Sequence, residues 1–282
     1  VLAGWLSHVE SIASALSLTK GYDESIQRST QTYMIGLGMG ASHPDSDGRA
    51  DKAGGESALA QTMDAIKAHI RENGLQVGDS LPSEGAFAEQ LGVSRGIVRE
   101  AYRSLSALTL IDIGNGRRPR VTAPKADVLA LVTDHAMHTD QVTIQQIFDV
   151  RRTVERRTVV LAAMRRTDQE AARIVALAQA MQRDFDNPQQ VMEHDIAFHE
   201  AIAAASRNPM FALIVGSFQI ITRHTWPIGW ASRAGNETRQ ESIDGHMTIA
   251  RAIADGDPAA GEQAMTDHFD LTTKALLEAG VY

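Results

Sequence analysis

Residues 81–121 read LPSEGAFAEQLGVSRGIVREAYRSLSALTLIDIGNGRRPRV. Two short helical patterns, a tight connection and a Gly-bearing basic hairpin follow one another within about forty residues, the layout of a winged helix-turn-helix. In the first pattern Pro82 blocks any helix arriving from upstream and Ser83 is placed as an N-cap, with Phe87, Ala88 and Leu91 as the inward face and Gly92 as the stop. Ser94 caps the second, in which Ile97, Val98, Ala101, Leu105 and Leu108 recur at helical spacing and leave Arg95, Arg99 and Arg103 on the opposite side. These arginines, one turn apart, form a cationic ridge suited to the major groove. Residues 110–113 and 119–122 read as two short strands joined at Gly114-Asn115-Gly116, with Arg117, Arg118 and Arg120 beside the turn. That ribbon is a wing, suited to the minor groove or to phosphates.

A solvated helix face would account for the arginines alone. Residues 95–120 carry six arginines against Glu100 and Asp112, a local net of +4 inside a chain of net −8. A basic patch in an acidic chain is better explained by a polyanionic partner, here double-stranded DNA.

The stretch resembles the DNA-binding domain of the GntR family of bacterial transcription regulators, on LPSE (81–84), LGVSR (91–95), VREAY (98–102) and the Gly-containing wing. The resemblance runs from Leu59 to about Val121. It implies operator contacts at Ser94, Arg95, Gly96, Arg99, Asn115 and Gly116. Family members usually carry an arginine directly after LPSE; Gly85 stands there in this chain and removes that side chain's contact.

Outward from this stretch, 282 residues allow one to three domains, and 43% apolar with 5% aromatic residues is an ordinary globular composition. The absence of cysteine excludes disulfides, thiolate metal sites and cysteine nucleophiles, and fits a reducing cytoplasm. No apolar run is long enough to cross a membrane. Residues 1–56 read as an N-terminal extension and linker. Leu2, Leu6, Val9, Ile12, Ala13 and Leu16 share a helix face without the positive start of a secretory signal, and residues 36–55 are rich in Gly, Ser, Ala and Asp. Regulators of the resembled type begin shortly before the reader, which makes Met34 the expected natural start and leaves the leading segment without function. Residues 57–73, with Leu59, Met63, Ile66 and Ile70 on one face, form the supporting first helix of a reader spanning 57–123.

After Pro124, residues 124–282 show helical patterning almost throughout, with breaks at 139–143, 167–168, 187–188, 208–209, 226–235 and 256–258. The fold class is therefore mainly α, a winged helix-turn-helix followed by an all-α bundle of about seven helices. Within the bundle, polar residues occupy inward positions. Asp195 and His199 stand in the stripe Val191, Asp195, Phe198, His199, Ile202; His246 lies between Ile243 and Ala250; His268 follows Ala264 and Met265. One inward histidine is most simply a core residue bonded to a carbonyl. Four such placements on three helices instead predict one carboxylate and three imidazoles around a divalent cation, and nitrogen-rich ligation favours Zn or Ni. His8, His43, His69, His135, His138, His194 and His224 lack this joint pattern and read as surface or structural. Arg151 also faces inward and needs an anion, either Glu155 one turn on or an external carboxylate shared with the metal. Trp226 and Trp230 either line such a pocket or pack as core anchors.

Residues 148–164, 195–211 and 246–269 resemble the ligand-sensing FCD domain of the FadR subgroup of GntR regulators. In its metal-containing members one Asp and three His hold the ion, and by motif they fall on Asp195, His199, His246 and His268. The resulting expectation is a cytoplasmic homodimer on a palindromic operator, controlled by a small carboxylic acid bound at the metal and at Arg151. The alternatives are a regulator whose effector is the cation itself, and a metal-dependent enzyme with an appended reader. The enzyme reading is disfavoured because only Glu155 and Glu200 are near enough to serve as a base.

Overall fold

The computed structural model describes residues 50–114, 116–233 and 235–281, with side chains from Ala58 onward. The readings made above for residues 1–49 and for Asn115 lie outside the described residues.

Helix α1 (Ala50–Glu72) begins inside the stretch read as a linker. Gly54 and Gly55 each cost about 1 kcal/mol in a helix interior. Leu59, Met63, Ile66 and Ile70, packed on the reader core, anchor the helix that runs back through them. α2 (Glu84–Leu91) starts where Ser83 Oγ accepts from Ala86 N and stops at Gly92, whose φ of 67° is left-handed. α3 (Arg95–Ala107) is capped by Ser94 Oγ, which accepts from Ile97 N at 3.3 Å. β1 (Ile111–Asp112) and β2 (Arg120–Val121) pair antiparallel, Ile111 opposite Val121, as a shorter ribbon than expected. Ile66, Leu81, Phe87, Val98, Leu105 and Ile111 close one core. Two positions depart from the pattern: Leu108 follows the end of α3 and is exposed, and Tyr102 is buried in its stead. The Tyr102 hydroxyl donates to Pro82 O at 2.8 Å, which ties the recognition helix to the turn before α2.

Eight helices follow: α4 (Ala126–His138), α5 (Ile144–Arg165), α6 (Asp168–Arg183), α7 (Pro188–Ala205), α8 (Pro209–Ser217), α9 (Gln219–Ser232), α10 (Asn236–Asp255) and α11 (Pro258–Glu278). Thr143 with Gln146 and Thr167 with Glu170 form capping boxes, while Asn187, Asn208 and Asp257 cap helices that open on proline. The count exceeds seven because the chain turns at Phe218, whose N–H reaches Val215 O three residues back. The predicted break at 226–235 is confined to its end. α9 continues to Ser232 through Pro227, because Trp226 stacks on Trp230 at 4.9 Å and Trp230 is buried. That packing outweighs one lost backbone hydrogen bond. α5, α7, α10 and α11 surround a second core that includes Val159, Phe198, Ile202, Ile249 and Phe269, with α6 laid against α7 and α10. Among the described residues no helix is long and apolar enough to cross a membrane.

Tyr102→Phe keeps the ring and removes the tie to Pro82. A loss of about 1 kcal/mol, read as a lower urea midpoint at unchanged slope, is the expected outcome.

Candidate metal centre and nucleic-acid interface

On the reader, Arg95, Arg99 and Arg103 of α3 face the wing residues Gly116, Arg117 and Arg118 across a cleft of about 630 Å³. Two of these cations are lightly tethered: Arg99 Nε donates to Glu84 Oε2 at 3.0 Å and Arg117 to Asp112 Oδ2 at 2.6 Å, all side chains being at least a third exposed. Exposed pairs of this kind are worth about 0–1 kcal/mol, so little stability is lost if another anion takes the place of either partner. Arg120 does not join the ridge; it donates to Gly78 O at 2.6 Å and pins the wing to the loop after α1. The Ser94 hydroxyl is occupied as the cap of α3, Gly96 lies beside it, and Gly116 turns the wing with a φ of 73°. The Arg95 guanidinium lies 3.4 Å from where a Cβ on Gly85 would stand.

In the bundle, Asp195 and His199 on α7, His246 on α10 and His268 on α11 each offer a donor atom within 4.8 Å of the others, and all four are buried. His246 Nδ1 donates to Ser242 O at 2.8 Å, the i−4 carbonyl of its own helix, which leaves Nε2 as the lone-pair nitrogen. That nitrogen stands 2.7 Å from Asp195 Oδ1. Two lone pairs at this distance require a proton or a cation between them. His199 Nε2 is 3.9 Å from the same oxygen and, though buried, has no hydrogen-bond partner among the described residues. Its Nδ1 abuts Glu155 Oε2. A carboxylate behind one ring nitrogen and an unsatisfied lone pair at the other is the arrangement by which histidines are oriented on metals. The donor set therefore fits a divalent cation.

Burial alone would raise Asp195, but the hydrogen bond and charge of His246, with His199 and His268, hold it below the ordinary carboxylate range. Glu155 is lowered likewise, its burial outweighed by His199 and Arg151. Burial works against the charged form of His199, and the Glu155 charge outweighs it and raises the ring. His268 is driven well down by burial and by His246 and His199.

Arg151 is 6% exposed and meets the internal anion considered above: Nε donates to Glu155 Oε1 and a terminal nitrogen to Thr222 Oγ1 on α9, both at 2.9 Å. It also borders a cavity of about 40 Å³ against the Asp/His cluster, together with Trp226, whereas Trp230 packs in the core. Pattern reading did not reveal Arg233. It caps α9 at the end of the stretch read as a break, where helical spacing carries no signal. Arg233 borders the small cavity and a neighbouring one of about 200 Å³ that also contains Lys274. Its guanidinium donates to Gly229 O at 2.8 Å, burial lowers its pKa, and no carboxylate among the described residues pairs with it.

Residues 59–121 match the model of the bacterial regulatory proteins of the gntR family, and residues 146–271 match the FCD domain. The chain belongs to the GntR family. It is a DNA-binding transcriptional regulator of the FadR-like subgroup, and its relatives are regulators, not enzymes. It is 28% identical over 209 residues to the HTH-type transcriptional repressor NanR of Salmonella newport (strain SL254), covering 71% of this chain and 78% of that one. The NanR repressor of Salmonella typhimurium is similar to the same degree, with 77% of its length covered. The solved structure of Streptococcus agalactiae GntR is similar at 25% identity with a TM-score of 0.58, covering 77% of this chain and 99% of that one.

The electrostatics of this GntR regulator predict its response to acid. Asp195 lies below its ordinary value of 3.8 when folded, so its contribution is complete above about pH 5 and is lost progressively as pH falls through 3.8 toward the lower folded value. In chelator, the thermal midpoint of the wild type should fall more steeply between about pH 5 and pH 3 than that of Asp195→Asn.

Proposed function

We propose that this regulator releases or engages its operator in response to a small carboxylic acid bound at a divalent metal, Zn or Ni, inside the C-terminal bundle. The reader is residues 57–123 and the sensing and dimerisation region residues 124–282. Ser94, Arg95, Gly96 and Arg99 of the recognition helix, with Asn115 and Gly116 of the wing, contact DNA. Two readers of a cytoplasmic homodimer take the two halves of a palindromic operator. Asp195, His199, His246 and His268 hold the metal, which when bound offers a positive charge and open coordination positions to an acid. Arg151, held in place by Glu155 and Thr222, orients the carboxylate, and Arg233, which lines the same cavity, adds a second guanidinium. The observation that carries this reading is the buried cluster of three imidazoles and one carboxylate beside two guanidinium groups. The NanR relatives named above are repressors, which supports repression as the mode of action.

A second reading, in which the cation itself is the effector, is supported by the size of the inner cavity. About 40 Å³ admits an ion and a few waters, and a larger acid must extend into the space beside Arg233 and Lys274. Fluorescence anisotropy on operator DNA with a panel of carboxylic acids, with and without chelator, separates the two. Acid-dependent change only in the presence of metal supports the first reading; metal-dependent binding indifferent to every acid supports the second.

Arg99→Ala is expected to weaken operator binding and to reduce the slope of log affinity against log salt by roughly 0.9, one phosphate contact. His199→Ala is expected to lose the bound metal on dialysis, measured by elemental analysis, with a lower thermal midpoint. Full metal retention in His199→Ala would reject the four-ligand set.

A further inference from the structure

The recognition helix α3 ends on a strained residue. Leu110 N donates to Leu105 O at 3.0 Å and Thr109 N to Ser106 O at 2.9 Å, a Schellman ending that places the residue after the cap in the left-handed region. α2 and α10 end on Gly92 and Gly256 in that conformation, with φ of 67° and 69°. α3 ends on Thr109 with a φ of 57°, the only β-branched residue of positive φ among the described residues. A branched side chain is crowded there, so its surroundings must hold it in place. Two hydrogen bonds do so, both from the segment that leads out of the wing into α4. Thr109 O accepts from Thr122 Oγ1 at 2.6 Å, and Thr109 Oγ1 accepts from Lys125 N at 3.1 Å. Lys125 is the N-cap residue of α4 and makes no side-chain cap of its own. Glycine at 109 would relieve the strain and keep the first bond, but it would lose the second.

We infer that Thr109 is a positioning residue for operator recognition: its hydroxyl ties the end of the recognition helix to the start of α4, so that a displacement of α4 moves the helix that reads DNA. The far side of this joint is equally close. Ala126, the first residue of α4, packs on α8 so tightly that a Cβ on Gly216 would stand 2.9 Å from its own Cβ. Gln219, the first residue of α9, donates to Asp127 Oδ1 at 3.5 Å. α9 also carries Thr222, which holds Arg151, and Trp226, which lines the inner cavity. A shift of α8 or α9 therefore reaches the first turn of α4, and Thr109 passes it to α3. The inference rests on the reading that the bundle controls the reader, and is independent of which ligand the bundle takes.

The test is hydrogen–deuterium exchange of the full chain, free and bound to a DNA duplex selected from random sequence, on the wild type, Thr109→Ser and Thr109→Gly. Glycine suits the left-handed position, so Thr109→Gly is expected to fold. In the wild type, DNA is expected to slow exchange in α4 by about fivefold or more, the lower range of coupling between linked sites. Thr109→Ser keeps the hydroxyl and should respond alike, whereas Thr109→Gly should bind the duplex and lose the response in α4. No response in the wild type, a response kept by Thr109→Gly or one lost in Thr109→Ser would overturn the inference. Loss of DNA binding in Thr109→Gly would also overturn it, since Thr109 would then shape the recognition helix itself. The readout needs neither metal nor acid. The expected pattern, found beside operator binding that is indifferent to metal and to every acid, would support the joint while contradicting the proposed effectors.

Discussion

An ionised carboxylate inside a helical bundle must find compensating charge, and most of the C-terminal bundle is arranged around two of them. Asp195 and Glu155 lie side by side across α7 and α5, linked through the His199 ring, which stands between them. Arg151 neutralises Glu155 from one end, and His246, fixed by the Ser242 carbonyl, meets Asp195 at the other. The chain of contacts crosses α5, α7 and α10, reaches α9 through Thr222, and has His268 of α11 against it. Removing one member of such a network leaves an unpaired buried charge, a loss of about 3–5 kcal/mol, whereas the assembled network adds little net stability. The arrangement is therefore costly as mere scaffolding and is suited to holding a cation whose presence can be sensed.

The reader rests on the opposite logic. Its cations are exposed and only loosely paired, Arg99 with Glu84 and Arg117 with Asp112, so little is lost if another anion takes either partner's place. Arg120 is the exception: its bond to Gly78 O makes it part of the framework that sets the wing angle. The same side-chain type thus serves two purposes within four residues, and the difference lies in what each guanidinium can reach.

Local signals made most of the fold legible. Ser83, Ser94, Thr143, Thr167, Asn187, Asn208 and Asp257 each begin a helix because each side chain reaches a free backbone N–H one turn on. The four inward polar residues were equally visible, since period 3.6 assigns them a face. What escaped was tertiary in origin. Pro227 would end an isolated helix, and the burial of Trp230 in the bundle core, against Phe185, carries α9 past it. Glu155 was visible as a partner for Arg151, but its second contact, to His199, depends on the approach of α5 to α7. Arg233 stands just past the last turn of α9, where no periodicity within one segment marks it.

The central claim is that the four buried donors are the ligands of one metal ion. X-ray absorption at the Zn K-edge of the protein carrying a single equivalent of Zn²⁺ tests it directly. The account predicts a first shell of nitrogen and oxygen only, with outer-shell scattering from three imidazole rings. A shell of mostly water oxygens, or scattering from one imidazole or none, would contradict it.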